Sequence, residues 1–499
     1  MTMTTTAPSG GQRSHAVALL PYVVAAAIFL AIRFATNGTL GFHIDELYYL
    51  ESGRHLALGY VDYPPIVPLL SRLETTVLGV TPWALRFLPA IAGAVNVMLG
   101  AAYVRKLGGS GRLQVLALLV GLTAPILLGT FLFQTVVFDQ LAWMVALYLF
   151  LSIVLDRKPR TWILLGLSLG IGLEVKFLIL PLILGMVIAT FVTPSLRADL
   201  RTRYPWIGGA LMVLIWLPNV VWQFANDFPT VNYILNHQGD IQSGGGVLDF
   251  VVLFLVLLFL LTPLWIAGFI SLFRTRELRA VGIACAVPML VYLFVGKEYY
   301  PAPTIPIVMA AGLTALSKVK RPRLRSGLAV AVVVASLIDF VALAKITVPT
   351  TPADRMHATG LDSLDSDYAS TVGWVSITQQ MTAVYGALPA SERAASVIVS
   401  SDYGVTGALQ IYGNSMSLPE SYSPQLSDYY YLPQHVAATD VLMVGYEPSD
   451  VAFMCTSATV VAHLAIPYHV VNLESRSPVT FCTLKVPLPS VWGRLKAFS

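Results

Sequence analysis

Long apolar stretches recur along most of this chain, and they constrain its fold more than any other feature. They lie near 16–33, 83–104, 113–132, 140–155, 161–174, 177–193, 205–223, 249–272, 280–295, 302–316 and 327–346. A helix that crosses a hydrocarbon core needs about 20 mainly apolar residues, so the pattern predicts a polytopic α-helical membrane protein with about eleven transmembrane helices. Glu174 and Lys176 interrupt the 161–193 pair. Composition agrees: 56% of residues are hydrophobic and 12% are charged, against about 25% charged in soluble domains. The run Ala16–Ile32 is longer than the core of a signal peptide and leads into a polar loop with no clear cleavage site, which predicts an uncleaved first span. Residues 1–15, rich in Thr, Ser and Gly, are expected to form a disordered cytoplasmic N-terminus.

The charges assign the sides. Alternate loops carry Arg105, Lys106 and Arg112; Arg157, Lys158 and Arg160; Arg197, Arg201 and Arg203; Arg274, Arg276 and Arg279; and Lys318, Lys320, Arg321, Arg323 and Arg325. With this set of spans every cluster falls on one side, which the positive-inside rule makes cytoplasmic. The N-terminus is then inside and the C-terminus outside. The opposite loops differ in character. The first, 34–82, carries acids, aromatics and prolines, and shorter ones lie at 134–139, 226–249 and 296–301. A functional surface is expected there.

Residues 16–347 form the predicted transmembrane domain, and after 347 the composition shifts. Short β-rich runs (396–400, 441–444, 459–465, 469–473 and 480–486) alternate with helical or loop segments such as 371–387. This predicts an extracytoplasmic α/β domain over 348–499. Its acids, among them Asp362, Asp365, Asp367 and Asp402, outnumber its basic residues. It is therefore expected to pack over the outer loops and shape an acceptor site, not to lie on anionic headgroups. Cys455 and Cys482 fall in this part, where a disulfide persists once formed; whether they pair stays open, and Cys285 is expected to be an inert core residue. No basic tract is interleaved with aromatics, which argues against nucleic acid as a partner. No fixed-period repeat occurs, which argues against inverted-repeat transporters.

The first loop concentrates the chemistry. Asp45 and Glu46 follow a span and precede a helix-like segment, 47–58, with Arg54-His55 and Gly59-Tyr60-Val61-Asp62-Tyr63-Pro64-Pro65 close behind. One reading makes Asp45 a helix N-cap and Glu46 a first-turn acid; the other makes the pair reactive carboxylates at the membrane surface. Asp139 lies at the outer end of a span, where a carboxylate is costly unless hydrated or paired. Lys297, beside Glu298, and Lys176 sit on the side where positive charge is uncommon. Each is read either as a phosphate contact or as a bland cation: Lys297 snorkelling to headgroups, Lys176 pairing with Glu174. Arg86 belongs to the same class, and His55 and His237 are the histidines suited to a metal or to acid–base work. Carboxylates and a few cations beside apolar walls suit a lipid-linked sugar phosphate, whose transfer to a hydroxyl needs a base and stabilisation of the departing phosphate.

These residues resemble a known family. Asp45-Glu46-Leu47-Tyr48-Tyr49 with Gly59-Tyr60-Val61-Asp62-Tyr63-Pro64-Pro65 is similar to the signature first loop of bacterial glycosyltransferase family 39 relatives, which include protein O-mannosyltransferases and lipid A aminoarabinose transferases of the GT-C fold. Gly296-Lys297-Glu298-Tyr299-Tyr300-Pro301, Pro218-Asn219-Val220-Val221-Trp222-Gln223 with Phe228-Pro229-Thr230, and Ser401-Asp402-Tyr403-Gly404 through Tyr412-Gly413 resemble further segments of that branch. The resemblance implies a bacterial plasma (inner) membrane enzyme. Its donor is a polyprenyl-phosphate sugar, its acceptor a lipid, polysaccharide or protein hydroxyl, and transfer inverts the anomeric carbon. It implies Asp45 as base, with the choice between Asp45 and Glu46 open; Glu46 and Asp139 as orienting carboxylates; and Lys297 on the donor phosphate. With Lys297, substrate contacts are expected from Tyr48, Arg54, His55, Tyr60, Asp62, Tyr63, Arg86, Lys176, Tyr299 and Tyr300. A divalent metal is a possibility the relatives leave open, and no ligand cluster stands out here. The alternatives are a flippase for lipid-linked sugars, which calls for ionisable groups at mid-membrane depth, and a non-catalytic scaffold, which leaves the Asp45-Glu46 loop without a purpose.

Overall fold

The computed structural model describes residues 11–124, 131–236 and 246–497. Its helices are α1 (Gly11–Thr36), α2 (Ile44–Arg54), α3 (Ile66–Leu78), α4 (Phe87–Lys106), α5 (Gly111–Thr123), α6 (Thr135–Asp156), α7 (Thr161–Leu173), α8 (Leu180–Val192), α9 (Tyr204–Ala225), α10 (Val247–Leu258), α11 (Thr262–Arg274), α12 (Arg279–Val295), α13 (Ile305–Leu316) and α14 (Pro322–Thr347). Among the described residues seven helical segments are long and apolar enough to cross a membrane, and four shorter apolar helices lie at 111–123, 161–173, 177–192 and 302–316. Together they coincide with the stretches expected from sequence.

Large apolar side chains on α9 and α14, such as Leu214, Phe224, Val330 and Val341, are exposed. A helix apolar on all sides is suited to lipid on one face and protein on the other. Between helices the contacts are made by small residues, because lipid supplies no hydrophobic drive for association and close backbone approach must do the work. A Cβ added to Gly166 of α7 would meet the carbonyl oxygen of Gly208 of α9 at 2.0 Å, and one added to Gly268 of α11 would meet that of Val308 of α13 at 2.0 Å.

Some boundaries differ from expectation. Residues 11–15, expected to be disordered, belong to α1; extending a helix already nucleated by an apolar span adds one hydrogen bond per residue fixed. Residues 1–10 lie outside the described residues, as does His237. Within the predicted span 113–132, α5 ends at Thr123, residues 125–130 lie outside the described residues, and Phe131 and Leu132 are buried against Leu40, Tyr368 and Val372. The first-loop helix starts at Ile44 and ends at Arg54, in place of 47–58.

The C-terminal part carries α15 (Trp374–Ala387), α16 (Tyr403–Tyr412) and α17 (Leu488–Leu495) around strands β1 (Ser396–Ser400), β2 (Ser421–Tyr422), β3 (Asp440–Val444), β4 (Cys455–His463) and β5 (Pro478–Leu484). The sheet order is β2-β1-β3-β5-β4, with β1 parallel to β2 and β3 and with β5 antiparallel to β3 and β4. Cys455 and Cys482 form a disulfide between β4 and β5. The run 469–473, expected as a strand, is not one: Val470 is buried beside Leu361 and Tyr368, so its apolar character serves tertiary packing and not a ladder.

This part is packed directly on the first loop. A Cβ at Gly407 of α16 would lie 2.9 Å from the Leu47 side chain, and one at Gly404 would lie 2.5 Å from Ile44. The Trp374 indole donates to the Phe42 carbonyl oxygen at 2.8 Å. Two glycines one turn apart thus let α16 lie against α2, and they fix what faces the N-terminus of α2.

Candidate active site

The N-cap of α2 is His43, not Asp45. The His43 ring nitrogen Nδ1 accepts from the Asp45 amide at 3.1 Å, while the Glu46 carboxylate accepts from the His43 amide at 2.8 Å, a reciprocal capping box. Glu46 is spent on structure. It is fully buried, as is Arg86, whose Nε and Nη2 donate to it at 2.8 and 2.7 Å. The Phe133 amide donates to it as well, at 2.8 Å. The remaining Arg86 donors reach the Asn37, Leu40 and Gly41 carbonyl oxygens at 2.8, 3.3 and 2.6 Å. Neither side chain is available to a substrate, so contact between Arg86 and donor or acceptor falls away.

Capping by His43 leaves the Asp45 carboxylate for other partners. Its side chain is 32% exposed, and it accepts from the Tyr403 hydroxyl at 2.9 Å and from the Gln134 amide at 3.2 Å. Asp45 therefore joins three elements: the first loop, the start of α6 and α16. Tyr403 was not singled out from sequence as a site residue; the glycines that follow it in α16 are the signal that its helix must make a close approach. Around Asp45 stand further charges. Lys176 donates to Thr135 at 2.9 Å, and it feels the charges of Asp139, Asp62, Asp45 and Lys297. It does not pair with Glu174, whose carboxylate oxygens have no hydrogen-bond partner. Burial disfavours its charge, and the surrounding acids restore only part of that loss.

Asp62 accepts from the Tyr48 hydroxyl at 2.9 Å. Burial pushes its carboxyl up to about 7, against the Tyr48 hydrogen bond and the Lys176 charge. Asp139 is buried and accepts from the Trp143 indole at 3.2 Å. His43 reaches Asp367 of the C-terminal part at 3.6 Å; burial alone would lower its basicity, but Asp367, Asp45 and Glu46 raise it above the usual value. Lys297 acts electrostatically on both Asp367 and Lys176, and Tyr299 of the same loop feels Asp367.

The expected contacts thus sort into groups. Asp45, Asp62, Asp139, Lys176 and Lys297 share one electrostatic cluster, with Tyr48 and Tyr299 at its side. Tyr60 and Tyr63 are buried: the Tyr60 hydroxyl donates to the Ser52 and His55 carbonyl oxygens at 3.2 and 3.1 Å, and Tyr63 pairs with the Ser52 hydroxyl at 2.6 Å. Their hydrogen bonds hold the shape of the loop. Tyr300 packs edge-on against Tyr292 at 5.2 Å. Arg54 and His55 lie at the other end of α2, away from Asp45, and both line a separate cavity.

Among the described residues no three His, Cys, Asp or Glu side chains converge as ligands for a metal ion, and Asp45, Asp62 and Asp139 act on the Lys176 ammonium.

The division between Glu46 and Asp45 is testable. Removing one partner of a buried ion pair costs about 3–5 kcal/mol, so Glu46→Ala is expected to lower the unfolding free energy in detergent by that amount and Asp45→Ala by much less. Equal losses in thermal unfolding would contradict the assignment.

Comparison with known proteins bears on this geometry. Residues 62–222 match the model of the dolichyl-phosphate-mannose-protein mannosyltransferase family. A stretch of 194 residues is 26% identical to the lipid A galacturonosyltransferase RgtD of Rhizobium johnstonii, covering 38% of this chain and 40% of that protein. The chain thus spans well under half the length of this curated relative. The structure of ArnT from Cupriavidus metallidurans in the apo state superposes with a TM-score of 0.62 at 15% identity, over 92% of this chain and 97% of that one. Its undecaprenyl phosphate-bound form gives 0.55 at 16% identity over the same shares. This chain therefore has the GT-C fold of ArnT, with the mannosyltransferase family match confined to the part that runs from the Asp62 loop to α9.

Proposed function

We propose that this chain is an integral membrane glycosyltransferase that moves a hexosyl or pentosyl unit from a polyprenyl-phosphate donor to an acceptor hydroxyl. The observation that carries this reading is the placement of Asp45. It is a partly exposed carboxylate at a helix N-terminus, freed from capping and within electrostatic reach of Lys176, which also feels Lys297. The GT-C fold and the matched segment support it, as does the undecaprenyl phosphate held by the ArnT structure. Movement of lipid-linked sugars across the membrane has no such support.

In the proposed step Asp45 takes the proton of the acceptor hydroxyl as its oxygen attacks the anomeric carbon. The bond from that carbon to the phosphate oxygen breaks, and polyprenyl phosphate leaves with the electron pair, giving inversion. Lys176 and Lys297 stabilise the phosphate charge. Tyr403 and Gln134 hold the carboxylate by hydrogen bonds, and His43 with Asp367 fixes the cap. Asp62 and Asp139 keep Lys176 charged and in place. The alternating Lys/Arg loops favour the extracytoplasmic face for this site, with the N-terminus in the cytoplasm of a bacterial cell.

The direct test offers purified protein a panel of radiolabelled polyprenyl-phosphate sugars with membrane extract as acceptor. Transfer of one label supports the reading; no turnover of any donor, with label moved across vesicles instead, would overturn it. A pH signature is also expected. Asp62, raised to about 7, is protonated as pH falls from 8 to 6, on the order of one negative charge lost beside Lys176. A sugar phosphodiester keeps its own charge over this range, so donor binding should tighten as pH falls. In Asp62→Asn that dependence should flatten, and an unchanged pH profile would count against Asp62 facing the donor.

A further inference from the structure

A cavity of about 330 Å³ lies between the C-terminal end of α2 and the segment after α16. Its lining includes Glu51, Arg54, His55, Gln410, Asp428 and Tyr431. Most of these groups are engaged with one another. Arg54 donates to Glu51 at 3.3 Å and to the Gln410 amide oxygen at 3.1 Å. His55 contacts Glu51 at 3.0 Å and stacks on the Tyr431 ring at 4.2 Å between centroids. Asp428 is different. It is 3% exposed, and neither of its carboxyl oxygens has a hydrogen-bond partner. A buried polar group without a partner costs on the order of 1–3 kcal/mol, and no hydrogen bond among the described residues offsets that cost. The Glu51, Asp402 and Asp62 charges raise this carboxyl further above the usual range after burial has done so, leaving it able both to donate and to accept.

We propose that this cavity binds a neutral sugar residue of the acceptor, a reading that rests on the transferase function above. The chemistry selects among ligands. Acids on the lining disfavour a phosphate or a carboxylate. No set of three His, Cys, Asp or Glu ligands is present among the described residues to hold a metal. The charged groups on the lining, Glu51 and Arg54 among them, disfavour a lipid chain. An uncharged carboxyl, an amide and an arginine around one small cavity match vicinal hydroxyls, and a cavity of this size takes one small ligand. Position fits as well. Glu51 is six residues beyond Asp45 on α2, about 9 Å along the axis at 1.5 Å per residue. A reacting hydroxyl at Asp45 and a sugar in the cavity fit on one short glycan.

The test is binding of free methyl glycosides of glucose, galactose, mannose and arabinose, with glucosamine and galacturonic acid as charged comparisons. It uses the full-length protein in detergent, followed by saturation-transfer NMR and calorimetry. Wild type is expected to bind at least one neutral glycoside in the millimolar range. Asp428→Leu and Gln410→Ala are expected to weaken it about tenfold or more, a step worth about 1.4 kcal/mol. Asp45→Asn should bind as wild type does. Thermal unfolding confirms that each variant is folded, and Gln410→Ala serves if Asp428→Leu is not. Binding of no glycoside, binding only of a charged sugar, or affinity unchanged in the folded variants would overturn the proposal. Because no donor is present, a transferase reading that failed in the label assay would leave this binding result standing, and the reverse holds too.

Discussion

Glu46 and Arg86 are both without exposed surface, and their bidentate pair joins the first loop to the start of the second membrane helix. Charges in such a setting are costly unless every lone pair and proton is satisfied. Here they are satisfied by backbone: the His43 and Phe133 amides on one side and three carbonyl oxygens on the other. The pair therefore fixes the chain at 37–46, at 86 and at 133 at once. It sets where α2 begins, and so where Asp45 points. Two adjacent acids have different surroundings because one is closed within this network and the other is partly exposed.

The C-terminal part completes the site. Without α16 there would be no Tyr403 on Asp45, and without residues 366–369 no Asp367 on His43. The close approach needs Gly404 and Gly407, since a side chain at either would strike α2. The C-terminal part thereby supplies hydrogen-bond partners to a carboxylate that the helical part presents. Of the acids there, Asp367 faces His43 and feels the Lys297 charge.

Much of the architecture was legible because lipid imposes one rule along the whole chain. Runs of apolar residues located the helices, with errors at the start of α1, in the bounds of α2, and where an apolar segment packs against protein, as at Phe131 and Val470. The first loop was legible as a site because acids, tyrosines and prolines crowded there. Its internal assignment was not. Sequence adjacency makes Asp45 and Glu46 equivalent, and only the position of Arg86, forty residues away, separates them. Arg54 and His55 looked like part of the same site because they share a loop with Asp45, but the rise of α2 carries them to another cavity. Asp428 gave no signal, since its isolation arises from tertiary packing alone.

In the proposed reaction Asp45 performs the proton transfer while Glu46 holds it in place. The most direct measurement is single-turnover sugar transfer by Asp45→Asn with donor already bound, against wild type under the same conditions. Loss of a general base predicts a fall of about 10²–10⁴-fold in the transfer rate, with donor affinity and thermal unfolding close to wild type. Transfer within about threefold of wild type, well short of any general-base effect, would contradict this role for Asp45 and point to Asp62 or Asp139 as the base.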